Sequence, residues 1–276
     1  MADASDAASV LAAMPDDVDA VFHVAGNTSF WKGDKAAQTL ANVDGTRNVV
    51  EAALARRAKR LIHTSSIVAY GLHDGVRIDE STPSNAGTMW VNYCRTKWLA
   101  EEEVRRGVSR GLNAVILNPG NVLGPFDVGN WSRLFVLLSA KRLPGVPPGS
   151  MPWCHVRDVV AAHIAALERG RTGENYLLTG PDAHFSEVIA LVAGHLAVKA
   201  PPPVPRIVMR IVGRVNEWKS VFTRKAPDPT PEMAMLFSST MLYSCAKAEG
   251  ELGFSTCDLA TMVKDTYDWL VTERRI

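Results

Sequence analysis

Apolar residues along this chain fall into short continuous runs separated by amphipathic stretches, the pattern of strands buried on both faces alternating with helices. Asp19-Ala20-Val21-Phe22-His23-Val24-Ala25-Gly26 reads as such a strand running into a tight glycine turn. A helix is predicted from Asp34 to Arg57. A second strand follows at Arg60-Leu61-Ile62-His63-Thr64-Ser65-Ser66, ending in hydroxyls, and then Tyr70-Gly71. A third strand, Ala114-Val115-Ile116-Leu117, breaks at Asn118-Pro119-Gly120. This alternation up to about Pro125 is that of a βαβ sheet and predicts an α/β fold.

Beyond Pro125 the pattern changes. Proline-rich stretches at Pro144 to Pro152 and Ala200 to Pro205 separate helices. A helix is predicted after His155-Val156-Arg157-Asp158, with Asp158 a favourable charge near its N-terminus. A short strand is predicted at Glu174 to Leu178, a helix from Ser186, and closing helices at Tyr243 to Gly253 and Asp258 to Thr272. Residues 126–276 therefore read as a smaller, mainly helical lobe with some elements returning to the sheet region of residues 1–125. Arg206, Arg210 and Arg214 recur at i, i+4 and i+8 beside Ile207, Val208, Ile211 and Val215. Such a stripe can rest on a membrane surface, but a solvated lobe helix is the preferred reading.

The candidate chemistry lies in Tyr93-Cys94-Arg95-Thr96-Lys97. Residues i and i+4 share a helix face, so the phenol and the ammonium point into one site. A neighbouring Lys⁺ favours phenolate and is expected to lower the tyrosine pKa from about 10. Such a tyrosine can pass a proton to or from a substrate oxygen, and a serine from the strand end at Ser65-Ser66 can hold that oxygen. His23, His63 and His163, set in apolar runs, read as satisfied core or edge histidines.

Taken in order, these segments resemble the extended short-chain dehydrogenase/reductase superfamily, which includes the epimerases and dehydratases, and the resemblance implies a doubly wound, Rossmann-like parallel sheet. The resemblance implies a catalytic set of Ser66, Tyr93 and Lys97, with Ser66 rather than Ser65 matching the family position before Gly71. Asn42 resembles an asparagine that bonds within a helix kink and positions the lysine. It implies a nicotinamide dinucleotide, NADP or NAD, with the branch leaning toward NADP. The cofactor would touch Asp3, Ala25, Gly26, Thr64, Tyr93, Lys97 and Pro119-Gly120-Asn121-Val122. The family's Gly-x-x-Gly-x-x-Gly turn, which receives the pyrophosphate at a helix N-terminus, does not occur here. Ala2-Asp3-Ala4-Ser5-Asp6 resembles the segment ending the family's third strand, so about two βα units, on the order of 60 residues, are expected to be missing.

Small departures set the reaction class. Ile67-Val68-Ala69 after Ser66 carry no carboxylate, which speaks against dehydration. Met151 falls where the nucleotide-sugar epimerases resemble an arginine pattern that clamps a diphosphate. Met151, Trp153 and Trp31 are therefore expected to line an apolar substrate pocket. The chain looks closest to the dihydroflavonol reductase and 3β-hydroxysteroid dehydrogenase branch, interconverting a ketone and a secondary alcohol on a bulky apolar substrate. A nucleotide-sugar epimerase is the alternative. A non-catalytic pseudoenzyme or interaction protein without the pyrophosphate site is the alternative of another class.

Composition adds exclusions. With 47% hydrophobic and 21% charged residues the chain is globular rather than disordered. A formal net charge of +1 gives no electrostatic case for nucleic acid. The cysteines, Cys94, Cys154, Cys245 and Cys257, show neither metal spacing nor disulfide density, so no metal is expected and a cytoplasmic residence is the simplest reading. A homodimer remains open.

Overall fold

The computed structural model describes residues 2–276. The first half runs α1 (Ala7–Ala13), β1 (Val21–His23), α2 (Lys35–Thr39), α3 (Gly45–Ala55), β2 (Leu61–Thr64), β3 (Arg77–Ile78), α4 (Asn92–Ser109), β4 (Ala114–Pro119) and β5 (Asn121–Leu123). It continues with α5 (Arg133–Ser139), β6 (Ser150–His155), α6 (Val156–Arg169), β7 (Asn175–Leu178), β8 (Asp182–His184) and α7 (Phe185–His195). The chain closes with α8 (Arg206–Thr223), α9 (Pro231–Leu236), β9 (Leu242–Tyr243), α10 (Ala246–Leu252) and α11 (Leu259–Thr272).

The main sheet has the order β1-β2-β4-β7, all parallel. Its strands alternate faces, and both faces are apolar. Leu61, Ala114 and Ile116 pack with Val10, Val49, Ala53 and Val104 of α1, α3 and α4. Ile62, Val115 and Leu117 pack on the other side with Val159, Ala162 and Ala166 of α6 and with Leu252 of α10. Helices on both faces of a parallel sheet make the doubly wound architecture that the family resemblance implied. A second, smaller sheet, β5-β6-β8, joins β6 to β5 in parallel and to β8 in antiparallel pairing, beside the pair β3-β9. Trp153, Phe135, Phe185 and Met262 fill the core between this sheet and α5, α7 and α11.

Two boundaries differ from the sequence reading. The expected helix from Asp34 to Arg57 is split into α2 and α3 by a π turn at Leu40–Asp44. The expected helix from Tyr243 begins only at Ala246, because Leu242 and Tyr243 pair with Arg77 and Ile78. Asp258 caps α11 by accepting from Thr261 N at 2.7 Å, so that helix starts where the pattern put it.

Strand β1 lies at the sheet edge, paired with β2 and with no second partner among the described residues. Its Phe22 is 44% exposed, and Val24 beyond it 61%. An apolar groove lined by Val10, Met14, Val18, Val21 and Phe22 runs alongside. Each large apolar side chain left in water forgoes roughly 1.5–3 kcal/mol of burial, and an uncovered apolar edge invites strand pairing. We therefore expect the 276-residue chain to self-associate as its concentration rises. Phe22→Lys with Val24→Lys should lower the mass seen by light scattering, and a parent chain monomeric at every concentration would contradict this.

Candidate active site

The C-terminal ends of β1, β2 and β4 meet along one margin of the main sheet, the usual ligand crevice of an open α/β sheet. The loop after β1 is fixed from the kinked helix opposite. In the π turn, buried Asn42 accepts from Asn27 N through Oδ1 at 2.7 Å, and its Nδ2 donates to Asn27 O at 2.9 Å and to Thr96 Oγ1 at 3.1 Å. Gln38 Nε2 donates to Asn27 O at 3.1 Å and to Ser29 O at 2.6 Å. The one-residue widening of the helix aims Asn42 at this loop, as π turns at functional sites often do. Asn42 thus holds the neighbour of Lys97 on α4, Thr96, rather than Lys97 itself. A Cβ on Gly26 would lie 3.3 Å from Asn42 Oδ1 and 3.8 Å from Lys97 Nζ, so glycine keeps the space in front of the lysine clear.

Tyr93 and Lys97 both lie on α4, one turn apart. Lys97 Nζ donates to Thr64 O at 2.9 Å. Burial lowers the Lys97 pKa to about 8, with Glu101 pulling it the other way. Burial pushes Tyr93 up to about 12, and a hydrogen bond with Ser66 partly opposes this. The expected lowering of the tyrosine pKa by Lys97 is thus not the ruling effect. Desolvation of the phenol rules instead, and the ammonium is bound to a strand carbonyl. Ser66 caps the turn at Ile67–Tyr70, its Oγ accepting from Val68 N at 3.4 Å. Tyr93 thus reaches Ser66, and Lys97 is bound to the last residue of β2, two positions before Ser66.

A buried carboxylate that sequence reasoning missed anchors this arrangement. Glu101, 2% exposed, follows Tyr93 and Lys97 at the same helical spacing. Its Oε1 accepts from Ser65 Oγ at 2.5 Å and Asn118 Nδ2 at 2.6 Å; its Oε2 accepts from Arg105 Nη2 at 2.8 Å and Asn175 Nδ2 at 3.0 Å. Asn118 Nδ2 also donates to Ser66 O at 3.0 Å. The i, i+4, i+8 recurrence was the available signal. Besides Arg105 on α4 itself, its partners lie in or at the end of three separate strands, which no local pattern brings together.

Three further cofactor expectations meet mixed fates. Asp3, Ala25 and Gly26 share one cavity of about 640 Å³ with Ala4, Asn27 and Leu40, a volume ordinary for a ligand site. Asp3 Oδ1 accepts from Ser5 N at 2.9 Å and Ser5 Oγ at 2.7 Å, a turn presenting the carboxylate at the rim. Thr64 contributes its carbonyl to Lys97, while its hydroxyl is engaged by His163 Nε2 at 2.8 Å. Pro119 to Val122 cross from β4 to β5 beside the same strand ends, and Asn121 turns inward to donate to Pro152 O at 2.9 Å.

The substrate expectations need correction. Met151 and Trp153 lie in β6 at 3% and 0% exposure, inside the second core rather than on a pocket wall. Strand β6 is covered on both faces, so its alternate residues all point into protein. Trp31 is half-buried and shares a small recess with Ser29, Phe30, Tyr93 and Glu232. An aromatic series does lead away from Tyr93. Phe30 stands edge-on to it at 5.2 Å, Phe237 lies 6.4 Å from Phe30, Trp131 5.5 Å from Phe237, and Trp153 4.8 Å behind Trp131. Phe237 and Trp131 carried no sequence pattern that marked them.

His163 is satisfied, as expected, through Thr64 and through Val159 O at 2.7 Å. His63 is not. Both its ring nitrogens lack partners, and its ring lies tilted against that of His23 with centroids 5.2 Å apart. His155 and Asp158 also converge with Cys257, their ligand atoms within 4.8 Å of one another, a grouping that cysteine spacing did not foresee. Asp158 already accepts from Cys257 N at 3.1 Å, and His155 Nδ1 accepts from Arg157 N at 3.1 Å as the cap of α6.

Residues 1–178 match the NAD dependent epimerase/dehydratase family. The chain belongs to that family. Among its relatives, a putative dihydroflavonol 4-reductase of Synechocystis sp. is 28% identical over 257 residues, 90% of this chain and 75% of the relative. Sterol demethylase protein B of Methylococcus capsulatus is 28% identical over 264 residues, 91% of this chain and 78% of the relative. The crystal structure of gox2253 superposes with a TM-score of 0.84 at 31% identity, covering 99% of this chain and 84% of that one. The expected family, fold class and oxidoreductase type with a nicotinamide dinucleotide are thereby borne out.

For this family member, the paired histidines set an acid limit on stability. Burial lowers His23 to about 4 and holds His63 well below its ordinary 6.5. The unfolded chain therefore takes up protons first, and stability is lost as pH falls from 6.5 toward about 4, at up to about 1.4 kcal/mol per unit for each histidine. We expect His63→Leu to flatten this limb, its advantage over the parent growing by about 2 kcal/mol between pH 7 and pH 5. Urea midpoints across that range measure it; an unchanged slope would place the acid sensitivity elsewhere.

Proposed function

We propose that this protein interconverts a ketone and a secondary alcohol on a bulky apolar substrate, using NADP or NAD and the set Ser66, Tyr93 and Lys97. The observation that carries this reading is the convergence of Tyr93, Ser66 and buried Lys97 at the strand ends, with the aromatic approach of Phe30, Phe237 and Trp131 beside the phenol. Names of relatives such as the dihydroflavonol reductase and the sterol demethylase component agree with an apolar substrate.

The residues present fit the sugar and nicotinamide side of a dinucleotide. Gly26 leaves the lysine accessible, the neighbouring cavity of about 640 Å³ runs from Asn27 to Asp3, and Asp3 offers a carboxylate to ribose hydroxyls. The sequence supplies no glycine-rich turn for the pyrophosphate. When bound, the nicotinamide gives or accepts the hydride. Ser66 holds the substrate oxygen, and Tyr93 exchanges the proton with it. A phenol near 12 is neutral at pH 7, the form that donates to an oxygen gaining charge during ketone reduction. Lys97, held by Thr64, would offer its remaining N–H bonds to the ribose. Asn42 acts as a positioning residue through Asn27 and Thr96. Without Met151 on a pocket wall, the apolar reading rests on the aromatic approach, and the same approach disfavours a charged diphosphate.

In a protein that binds dinucleotide, Tyr93→Phe should keep cofactor affinity and lose turnover by at least about 10²-fold, the low end for a general acid. Lys97→Met should weaken both cofactor affinity and rate. Turnover of Tyr93→Phe within a few-fold of the parent would remove the phenol from the mechanism. Ketones with large apolar bodies should be reduced, whereas nucleotide sugars should bind no better than the free nucleotide. Diphosphate-dependent nucleotide-sugar binding in a titration would restore the epimerase reading, and no dinucleotide binding at all would favour a pseudoenzyme.

A further inference from the structure

Helix α8 turns its apolar side outward. Its buried positions, Met209, Gly213 and Ser220, share one face. On the opposite face Ile207, Ile211, Val215, Trp218 and Phe222 recur at helical spacing, exposed by 64%, 55%, 43%, 66% and 71%. A solvated lobe helix carries the reverse pattern, so the arginine stripe in the sequence marks the border of this face rather than a polar exterior. Arg210 and Arg214 flank it on one side and Lys219 on the other, with Arg224 and Lys225 past its end. Glu217 is the single acid from 206 to 225, and Lys32 pairs with it at 2.9 Å. Arg206 reaches Asp74 at 3.3 Å. The other basic residues have no carboxylate within ion-pair distance among the described residues.

We propose that α8 seats the protein on an anionic bilayer surface, its apolar face at the acyl boundary and Arg210, Arg214 and Lys219 at the level of the phosphates. A lone convex helix with aromatic and aliphatic residues outward and basic residues along both borders is the pattern of an interfacial helix. No helix among the described residues is long and apolar enough to cross a membrane, so the contact lies in the surface plane. Charge decides against a second copy as the occupant. A two-fold contact through this face would bring its basic borders together, whereas anionic headgroups complement them. The inner flank of α8, with Arg210, Arg214 and Glu217, joins Trp90, Pro231 and Met235 around a cavity of about 500 Å³. The Lys32 to Glu217 pair ties the helix to the loop that carries Phe30 and Trp31. The membrane contact therefore borders the aromatic side of Tyr93.

Flotation of the full chain with vesicles tests this, using phosphatidylcholine alone and phosphatidylcholine with about one-third phosphatidylglycerol. Binding to the anionic vesicles is expected, weakened by raised salt. Trp218→Ser with Phe222→Ser, and separately Arg210→Glu with Arg214→Glu, should each weaken it by at least about tenfold. Phe22→Ser at the exposed β1 edge should leave it unchanged. If the aromatic variant melts early, the arginine variant decides alone. No flotation on either vesicle, equal binding to neutral and anionic vesicles, or binding indifferent to both α8 variants would each overturn the proposal. So would a dimer that the aromatic variant dissolves without any vesicle binding, which would assign the face to a second copy.

Discussion

Glu101 is the point on which the site depends. A carboxylate at 2% exposure is tolerable only because four donors surround it: Ser65, Arg105, Asn118 and Asn175. Those donors come from the end of β2, from α4 itself, from β4 and from β7, so satisfying one buried charge fixes the helix carrying Tyr93 and Lys97 against three strands. Taking a partner from such a buried group costs roughly 3–5 kcal/mol because the charge is then left uncompensated. The same group stands one turn below Lys97 and raises its pKa against the larger effect of burial. Scaffold and site electrostatics are therefore one network.

A second constraint acts from the opposite wall. Backbone N–H and C=O groups in the loop after β1 are beyond the reach of the sheet ladder and must find partners elsewhere. Asn42 and Gln38 supply them, and Asn42 reaches Asn27 only because the helix opens into a π turn at Leu40–Asp44. The loop is thereby held close to α4, and the glycine at 26 keeps the gap between them free of side chain.

The core beneath β6 is held by packing rather than charge. Trp153 and Phe185 fill its core, and Trp131 rests on both at 4.8 Å and 6.0 Å. From that base the aromatic series reaches Tyr93 through Phe237 and Phe30. Tyr93 is thereby bordered by aromatic rings on the side of this core.

What the sequence determined by itself was whatever is encoded in local periodicity and spacing. Runs buried on both faces specified parallel strands, and Tyr93 and Lys97 four residues apart had to share a helix face. Ser66 at a strand end lies where the parallel sheet delivers it, and the ordered motifs marked the family. Tertiary structure decided what depends on which distant segments meet. Desolvation, which no spacing records, moved Tyr93 upward and Lys97 downward. Strand β6 acquired covers on both faces, which buried Met151 and Trp153 that sequence reasoning had set on a pocket wall. Three strands converged on Glu101, and α8 docked by Met209, Gly213 and Ser220, leaving its apolar stripe outside. Periodicity states that a helix has two faces; only the packing of the whole chain determines which of them meets water.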